Sequence, residues 1–531
     1  MAASVDAAAP PAIDPHVYDR RWRILGVLCL SLVIIVAGNS SLNVALPTLV
    51  RELGATATQL QWIVDAYAIV FAATLLPAGA IGDRFGRKGA LQTGLGIFAA
   101  AALAASFARD PVQVIAARTV MGIGAAFVMP ATLSLLAVTF PPAERGRAIA
   151  IWAGFAGAGG AIGPLLSGLL LERFWWGSVF FINLPILLIA VIAGALIVPT
   201  SRDTQVRPLD PIGGLLSIVA LAGLVFGIIE GPDRGWTDQI TVAAFVTGVV
   251  ASLVFVWWEG RSSHPMLNLS WFADRNFSVG SSTIMLAFFG AFGVFFLATQ
   301  FFQFVQGYSP LRAAFSTMPI AISLIIVAPR SARLAERFGP NRVVSSGLLL
   351  VGMGLGLLSL TSVAGAPYLT IAPALVLFGC GMALTTAPST TLILSAMPTD
   401  RAGVGSAVND TTRELGGSLG VAVLGSIVAS LYQARLPLER LPEQIRSPVT
   451  ESLGAALAVA RDAPNAHLGA ELATAAKAAF VTGFRVAFLV AGIVAVLTAA
   501  MVRRFGPSEA PQVGGSRQTA SEDLRGRAHH R

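Results

Sequence analysis

Lysine, cysteine, histidine and charge in general are scarce in this 531-residue chain. Only Lys88 and Lys477 occur, followed by Gly89 and Ala478. A nucleotide-binding P-loop needs its lysine followed by Ser or Thr, so self-contained ATP hydrolysis is excluded. Cys29 and Cys380 each sit in an apolar run and read as packing residues, not as a disulfide framework or a metal cluster. All five histidines (His16, His264, His467, His529, His530) lie in tails or loops, which argues against a haem or metal site within the apolar runs. A membrane-embedded hydrolase has one foothold, the nucleophile-elbow spacing Gly416-Gly417-Ser418-Leu419-Gly420. That motif belongs on a strand-to-helix turn with a histidine in reach, and Ser418 has neither.

Charged residues make up 12% of the chain, against 55% hydrophobic residues and a mean hydropathy of +0.73. Soluble domains carry roughly a quarter charged residues. The net charge of +8 does not point to nucleic acid, because the basic residues sit in short loops without interleaved aromatics. A helix crosses a hydrocarbon core of about 30 Å with about 20 apolar residues, and such runs recur along almost the whole sequence. The chain is therefore read as an all-α polytopic membrane protein, with the lipid bilayer as its first partner.

Gly, Pro and charge punctuation places spans near 22–46, 61–81, 90–107, 113–135, 148–170 and 179–198, then 212–230 and 240–258. Six more follow near 278–303, 312–329, 343–362, 369–394, 403–431 and 480–502. The expected plan is a tail 1–21, a six-helix bundle 22–200, two inserted helices 201–260, a second six-helix bundle 261–504 and a tail 505–531. The first run is too long for a signal-peptide core and is expected to stay as helix 1. Basic clusters (Arg20, Arg21, Arg23; Arg84, Arg87, Lys88; Arg330, Arg333, Arg337, Arg342) fall in alternate loops, whereas the others carry mostly single arginines. Basic loops stay inside, so both termini are expected in the cytoplasm. The segment 432–478, outside on this plan, reads as amphipathic helix at the membrane face. Few lysines and abundant Ala and Arg suggest a GC-rich bacterial genome, hence a bacterial inner membrane.

The loop after span 2 reads Asp83-Arg84-Phe85-Gly86 and the loop after span 10 reads Glu336-Arg337-Phe338-Gly339. Each follows the second span of a six-helix bundle, as two related halves around an inserted pair require. In the first, Gly79 allows close helix approach, Gly86 permits a tight turn, and Asp83 can cap a helix or pair with a basic group that shifts between states. The whole run Gly79 to Lys88 resembles the signature loop between helices 2 and 3 of the major facilitator superfamily. Span 5 carries Gly159, Gly163, Pro164 and Gly168, similar to the antiporter motif of the exporting families, with Ser167 where a glycine is usual. Small residues at this spacing permit close backbone contact and Pro164 permits a bend. Arg118-Thr119-Val120-Met121-Gly122-Ile123-Gly124 resembles the family's intramembrane arginine motif, with Met121 in place of the customary glutamine. A buried arginine costs a few kcal/mol at least on insertion scales, so Arg118 should face the bundle interior, as a structural clamp or as an influence on proton transfer.

Asp65, Asp410 and Glu414 are the acidic residues clearly within spans, with Glu230 at a span end. A carboxylate shielded from water can load and release a proton near neutral pH, which makes the first three proton-carrier candidates. Asp65, one helical turn from Gln61 with Trp62 and Tyr67 nearby, is the first choice; the other reading is a helix-end carboxylate in water. Asp410 and Glu414 share a face with Arg413 and form either a proton site or an internally neutralised structural cluster. Asn39, Asn43, Trp62, Tyr67, Gln303 and Asn409 are candidates to line a substrate cavity.

Asn39 to Pro47, Phe180 to Pro185, Gln303 to Pro310 and Asn409 to Gly420 extend the resemblance to the fourteen-span drug:proton antiporters, from about Trp22 to Phe505. Where the helix 1 signature of that branch carries an aspartate, this chain has Gly38 followed by Asn39. The resemblance implies the major facilitator fold, two six-helix bundles plus two inserted helices. It further implies alternating-access export of amphipathic or cationic small molecules by a functional monomer, with protons as coupling ion and no other cofactor. A transporter of one physiological metabolite, such as a secondary metabolite or amino acid, shares that fold.

Overall fold

The computed structural model describes residues 15–202, 210–263, 265, 267–396, 402–437, 439 and 443–506, and all regular structure among them is helical. His264, His529, His530 and most of both tails lie outside these residues. In the first half the chain forms α1 (Pro15–Leu53), α2 (Ala57–Phe85), α3 (Arg87–Ser106), α4 (Pro111–Thr139), α5 (Pro142–Arg173), α6 (Ser178–Phe181) and α7 (Asn183–Ile197). Then come α8 (Pro211–Arg234) and α9 (Gln239–Glu259). The second half has α10 (Arg275–Gln300), α11 (Pro310–Phe338), α12 (Pro340–Thr361), α13 (Tyr368–Ser395), α14 (Ala402–Arg435), α15 (Glu443–Glu451), α16 (Leu453–Arg461) and α17 (Ala466–Phe505). Twelve helices or helix runs among the described residues are long and apolar enough to cross a membrane, or thirteen with α2, which bends by 50° between Leu75 and Pro77. Helices satisfy their own backbone groups, the condition for standing in lipid.

Most helices overrun the apolar spans at their ends. The largest difference is at the last, where α17 begins at Ala466 and not near 480, because the alanine-rich stretch before the apolar run keeps high helix propensity whatever its polarity. Helix also begins at Pro15, inside the expected tail 1–21. The run 179–198 is two helices broken at Ile182. Asn183 caps the break by donating from Nδ2 to the carbonyls of Val179 (3.1 Å) and Phe180 (3.3 Å). The segment 432–478 also departs from expectation. It folds back onto protein: Leu453, Gly454, Ala456 and Ala460 of α16 are buried, Gly454 sits against Val50 and Phe304, and Tyr432 donates to the Val449 carbonyl at 2.9 Å. The buried face of α16 thus covers the ends of α1 and α10.

The two halves repeat each other in detail. One constant sequence offset relates the left-handed turn at Gly54 (φ 66°) to that at Gly307 (φ 68°), and Gly86 (φ 128°) to Gly339 (φ 85°). The same offset takes the N-cap Thr56 to the N-cap Ser309 and the Gly94 contact to the Gly347 contact. Gly94 of α3 meets Gly124 of α4, and Gly347 of α12 meets Gly381 of α13, backbone on backbone. A Cβ on Gly124 would stand 2.8 Å from the Gly94 carbonyl oxygen and 2.8 Å from the Phe98 nitrogen, both rigid. Gly124→Ala is therefore expected to cost about 1–3 kcal/mol by overpacking, read as a lower melting temperature in detergent. Gly89→Ala, with open space around the new methyl, should leave it unchanged.

Among the described residues, the bonds that join the halves lie toward one end, where α1 stops and α2 begins. Gln303 Nε2 donates to the Val44 carbonyl (2.9 Å), Ser309 Oγ donates to Glu172 (2.7 Å), and Gly168 and Gly425 admit Leu311 and Gln61. At the end where α1 begins and α17 stops, bonds stay within a half: Arg21 with Glu144 (2.8 Å), Asp83 with Arg87 (2.7 Å), Asn341 with the Arg503 carbonyl (3.4 Å). The halves thus close on each other at the end remote from the termini.

Candidate functional site

Four helices bring the intramembrane polar residues together. Gly122 seats α4 on α2, where a Cβ would lie 2.7 Å from the Tyr67 carbonyl oxygen, and this sets Arg118, one turn earlier, beside Tyr67. Arg118 is fully buried. Its Nε donates to the Ile63 carbonyl (3.1 Å), its Nη2 donates to Asn39 Oδ1 of α1 (2.7 Å), and its guanidinium lies 4.1 Å over the Tyr67 ring. The remaining nitrogen, Nη1, has no hydrogen-bond partner. A cation in such a place needs a counter-charge. The acid in electrostatic reach of both Arg118 and Tyr67 is Glu414 of α14, in the other half, whose Oε2 is buried and likewise without a hydrogen bond.

Asp410 lies one turn before Glu414. Its contact with Arg413 is long (3.8 Å), and Asn409 reaches it only at 3.5 Å while accepting from Thr390 at 3.2 Å. Arg413 stacks 4.8 Å over Phe288, and its buried Nε has no acceptor. Phe288 and Thr390, on α10 and α13, carry no sequence signal that separates them from ordinary core residues.

Asp65 is 0% exposed, which overturns its reading as a helix-end carboxylate in water. The capping box of Thr56 and Gln59 starts α2 early enough that Asp65 lies two turns inside, where α14 covers it. Neither oxygen has a hydrogen bond. The polar neighbour is Ser418 of α14, whose hydroxyl stands in reach of the carboxyl but outside good hydrogen-bond geometry. The glycines around Ser418 serve packing: Gly416 and Gly420 sit directly on the Met285 and Phe289 backbones of α10, inside one helix.

The remaining candidates separate. Asn39 and Tyr67 belong to the Arg118 cluster, and Asn43 lies one turn along α1, partly exposed. Trp62 donates to Glu230 of α8 (3.0 Å), and Gln303 is buried in the seam with α1. Gly159 and Gly163 form the α1–α5 seam, where Ser41 donates to the Gly163 carbonyl at 3.1 Å; Pro164 follows within α5, and Gly168 reaches the other half. In the loop motif Gly79 meets Pro130, Arg84 lies over Phe85 at 5.2 Å, Arg87 N donates to the Ser201 carbonyl (2.9 Å) and Lys88 donates to that of Ala195 (2.6 Å). Asp83, held by Arg87 next to the Gly86 turn, stays within its own half.

Two related halves, a buried arginine in electrostatic reach of an acid on the other half, and the loop motif on the second helix meet the sequence profile described as Major Facilitator Superfamily, which matches residues 28–421. The chain belongs to the major facilitator superfamily. Multidrug efflux pump LfrA of Mycolicibacterium smegmatis is 35% identical over 486 residues, 91% of this chain and 96% of that one. The tetracenomycin C resistance and export protein of Streptomyces glaucescens is 32% identical over 92% of this chain and 93% of its own. Methyl viologen resistance protein SmvA of Salmonella typhimurium is 32% identical over 90% and 97%. Among solved structures, a bacterial homologue of the human lysosomal transporter Spinster, in an inward-facing and unoccupied conformation, superposes with a TM-score of 0.65 at 16% identity, covering 93% of this chain and 99% of that one. This superfamily member therefore shares fold with the last and sequence with the efflux pumps.

Proposed function

We propose that this major facilitator protein exports amphipathic or cationic small molecules from a bacterial cell by exchange for inward-moving protons. Its relatives named for multidrug efflux and antibiotic export support the substrate class. The observation that carries the coupling is Asp65, buried at the α2–α14 interface with neither oxygen bonded. A carboxylate placed between two halves that part and close alternately can meet water on one side and lose it on the other. Counting α5 and taking α6 and α7 as one crossing gives fourteen spans. The Arg84 and Arg333 loops then share the terminus-bearing side, which basic loops assign to the cytoplasm. The protein works as a monomer in the inner membrane, in this state open toward the cytoplasm.

The test is transport into inside-out vesicles with a hydrophobic dye cation. Accumulation should collapse on adding a protonophore and persist without ATP; indifference to the protonophore refutes proton coupling.

A further inference from the structure

The inserted helix α8 ends in an acid that holds both halves. Along its length α8 lies over the seam between α2 and α14: Leu221, Val225 and Ile229 pack with Ile69 of α2 and Ala422 of α14. Near the terminus-bearing end its contact is with α2, where Gly214 sits against Pro77. At the far end polar bonds reach in both directions. Toward α2, Trp62 donates to Glu230, which also pairs with Arg234 at 2.8 Å, and Thr58 Oγ1 donates to Asp233 Oδ2. Toward α14, Ser426 Oγ donates to the Ile228 carbonyl (2.6 Å) and Gln433 Nε2 donates to Asp233 Oδ1 (2.9 Å). The two oxygens of one carboxylate are thus divided between the first turn of the second helix and the last turn of α14.

We propose that Asp233 is the latch of the closed far end, with Thr58 and Gln433 as its two catches, and that the inserted pair thereby sets the balance between the two open states. The geometry requires it. Opening the far end separates Thr58 from Gln433, and a carboxylate on a third helix cannot follow both. One charged hydrogen bond must break, and each such bond is worth more than a neutral one. Asp233 is a positioning residue: it touches neither Asp65 nor the Arg118 cluster and acts only on which side is open. The inference rests on the alternating-access reading.

The test uses spin labels in full-length protein with Cys29 and Cys380 replaced. One pair, Arg109→Cys with Ala364→Cys, spans the far end; the other, Ile149→Cys with Ala332→Cys, spans the terminus-bearing end. Two distance populations in the unaltered background test alternating access itself, and a single fixed distance would refute that reading without touching the latch. Thr58→Val and Gln433→Ala each cut one catch and leave α8 intact. Each should move the far-end pair toward longer distances and the other pair toward shorter ones, with the far-end-open to closed ratio rising roughly two- to fivefold, since Asp233 is exposed and water screens its bonds. Combining them should add little beyond Asp233→Ala, because either cut already frees the latch. A merely structural role would lower protein yield without moving the two ends in opposite directions. Populations unchanged in both single variants overturn the proposal.

Discussion

Asp65→Asn is expected to reduce proton-coupled export to the background of vesicles lacking the protein, while the protein still folds in the membrane. The two halves of this expectation come from the same observation. Asparagine has nearly the volume and shape of aspartate, and its amide can keep the contact with Ser418, the polar neighbour of Asp65. Removing an ionisable group from a dry place without a counter-charge sacrifices little, so the stability change should lie within about 1 kcal/mol of zero or favour the variant. Function differs. With the far end closed, Asp65 is fully buried, and among the described residues no cation forms an ion pair with it, Ser418 being its polar neighbour; parting α2 from α14 would give it water. A residue whose charge is tolerated in one state and not in the other ties proton binding to the switch between them, and a ligand biases an equilibrium only through such a difference. Asparagine binds no proton in either state, so the bias disappears. Transport by Asp65→Asn with the pH dependence of the unaltered protein would remove Asp65 from the mechanism. A variant lost from the membrane would show instead that the acid is structural.

Hydropathy made the spans legible because lipid leaves one solution for each apolar run, and the repeated Asp83 and Glu336 loops made the relation of the halves legible before any contact was known. What the sequence left open is what depends on partners from distant helices. Arg118 announces itself by its cost. That it rests on Asn39 and the Ile63 carbonyl, with Glu414 of the other half in electrostatic reach, depends on how α1, α2, α4 and α14 cross. Trp62 and Gln303 read as cavity candidates because they are polar or aromatic in apolar runs; that Trp62 Nε1 donates to Glu230 and Gln303 Nε2 to the Val44 carbonyl depends on helices far away in sequence. Asp233 and Gln433 carry no sequence signal, and only the position of α8 over the α2–α14 seam reveals their connection. The segment 432–478 shows the same limit: amphipathicity says that one face is covered, and does not say by what.

Arg118→Lys is expected to lower the export rate by at least roughly tenfold, the cost of one charge-assisted hydrogen bond at about 1.5–3 kcal/mol. The guanidinium acts in three directions at once, toward the Ile63 carbonyl, toward Asn39 and across the Tyr67 ring. A planar, delocalised cation can donate in its plane while stacking with its face; an ammonium on a flexible stem cannot do both. Lysine keeps the charge, so the variant asks whether charge alone suffices. Its companion is Glu414→Gln, which preserves shape and removes the acid in electrostatic reach of Arg118 from the opposite half. A clamp confined to the first half would make Arg118→Lys less thermostable but normal in pH dependence, and would leave Glu414→Gln silent. An interaction across the interface predicts otherwise: Glu414→Gln alters the pH profile of export, and the double variant is no worse than the more damaged single one. Strictly additive losses with an unaltered pH profile would reduce Arg118 to a helix clamp and leave Asp65 to carry the coupling by itself.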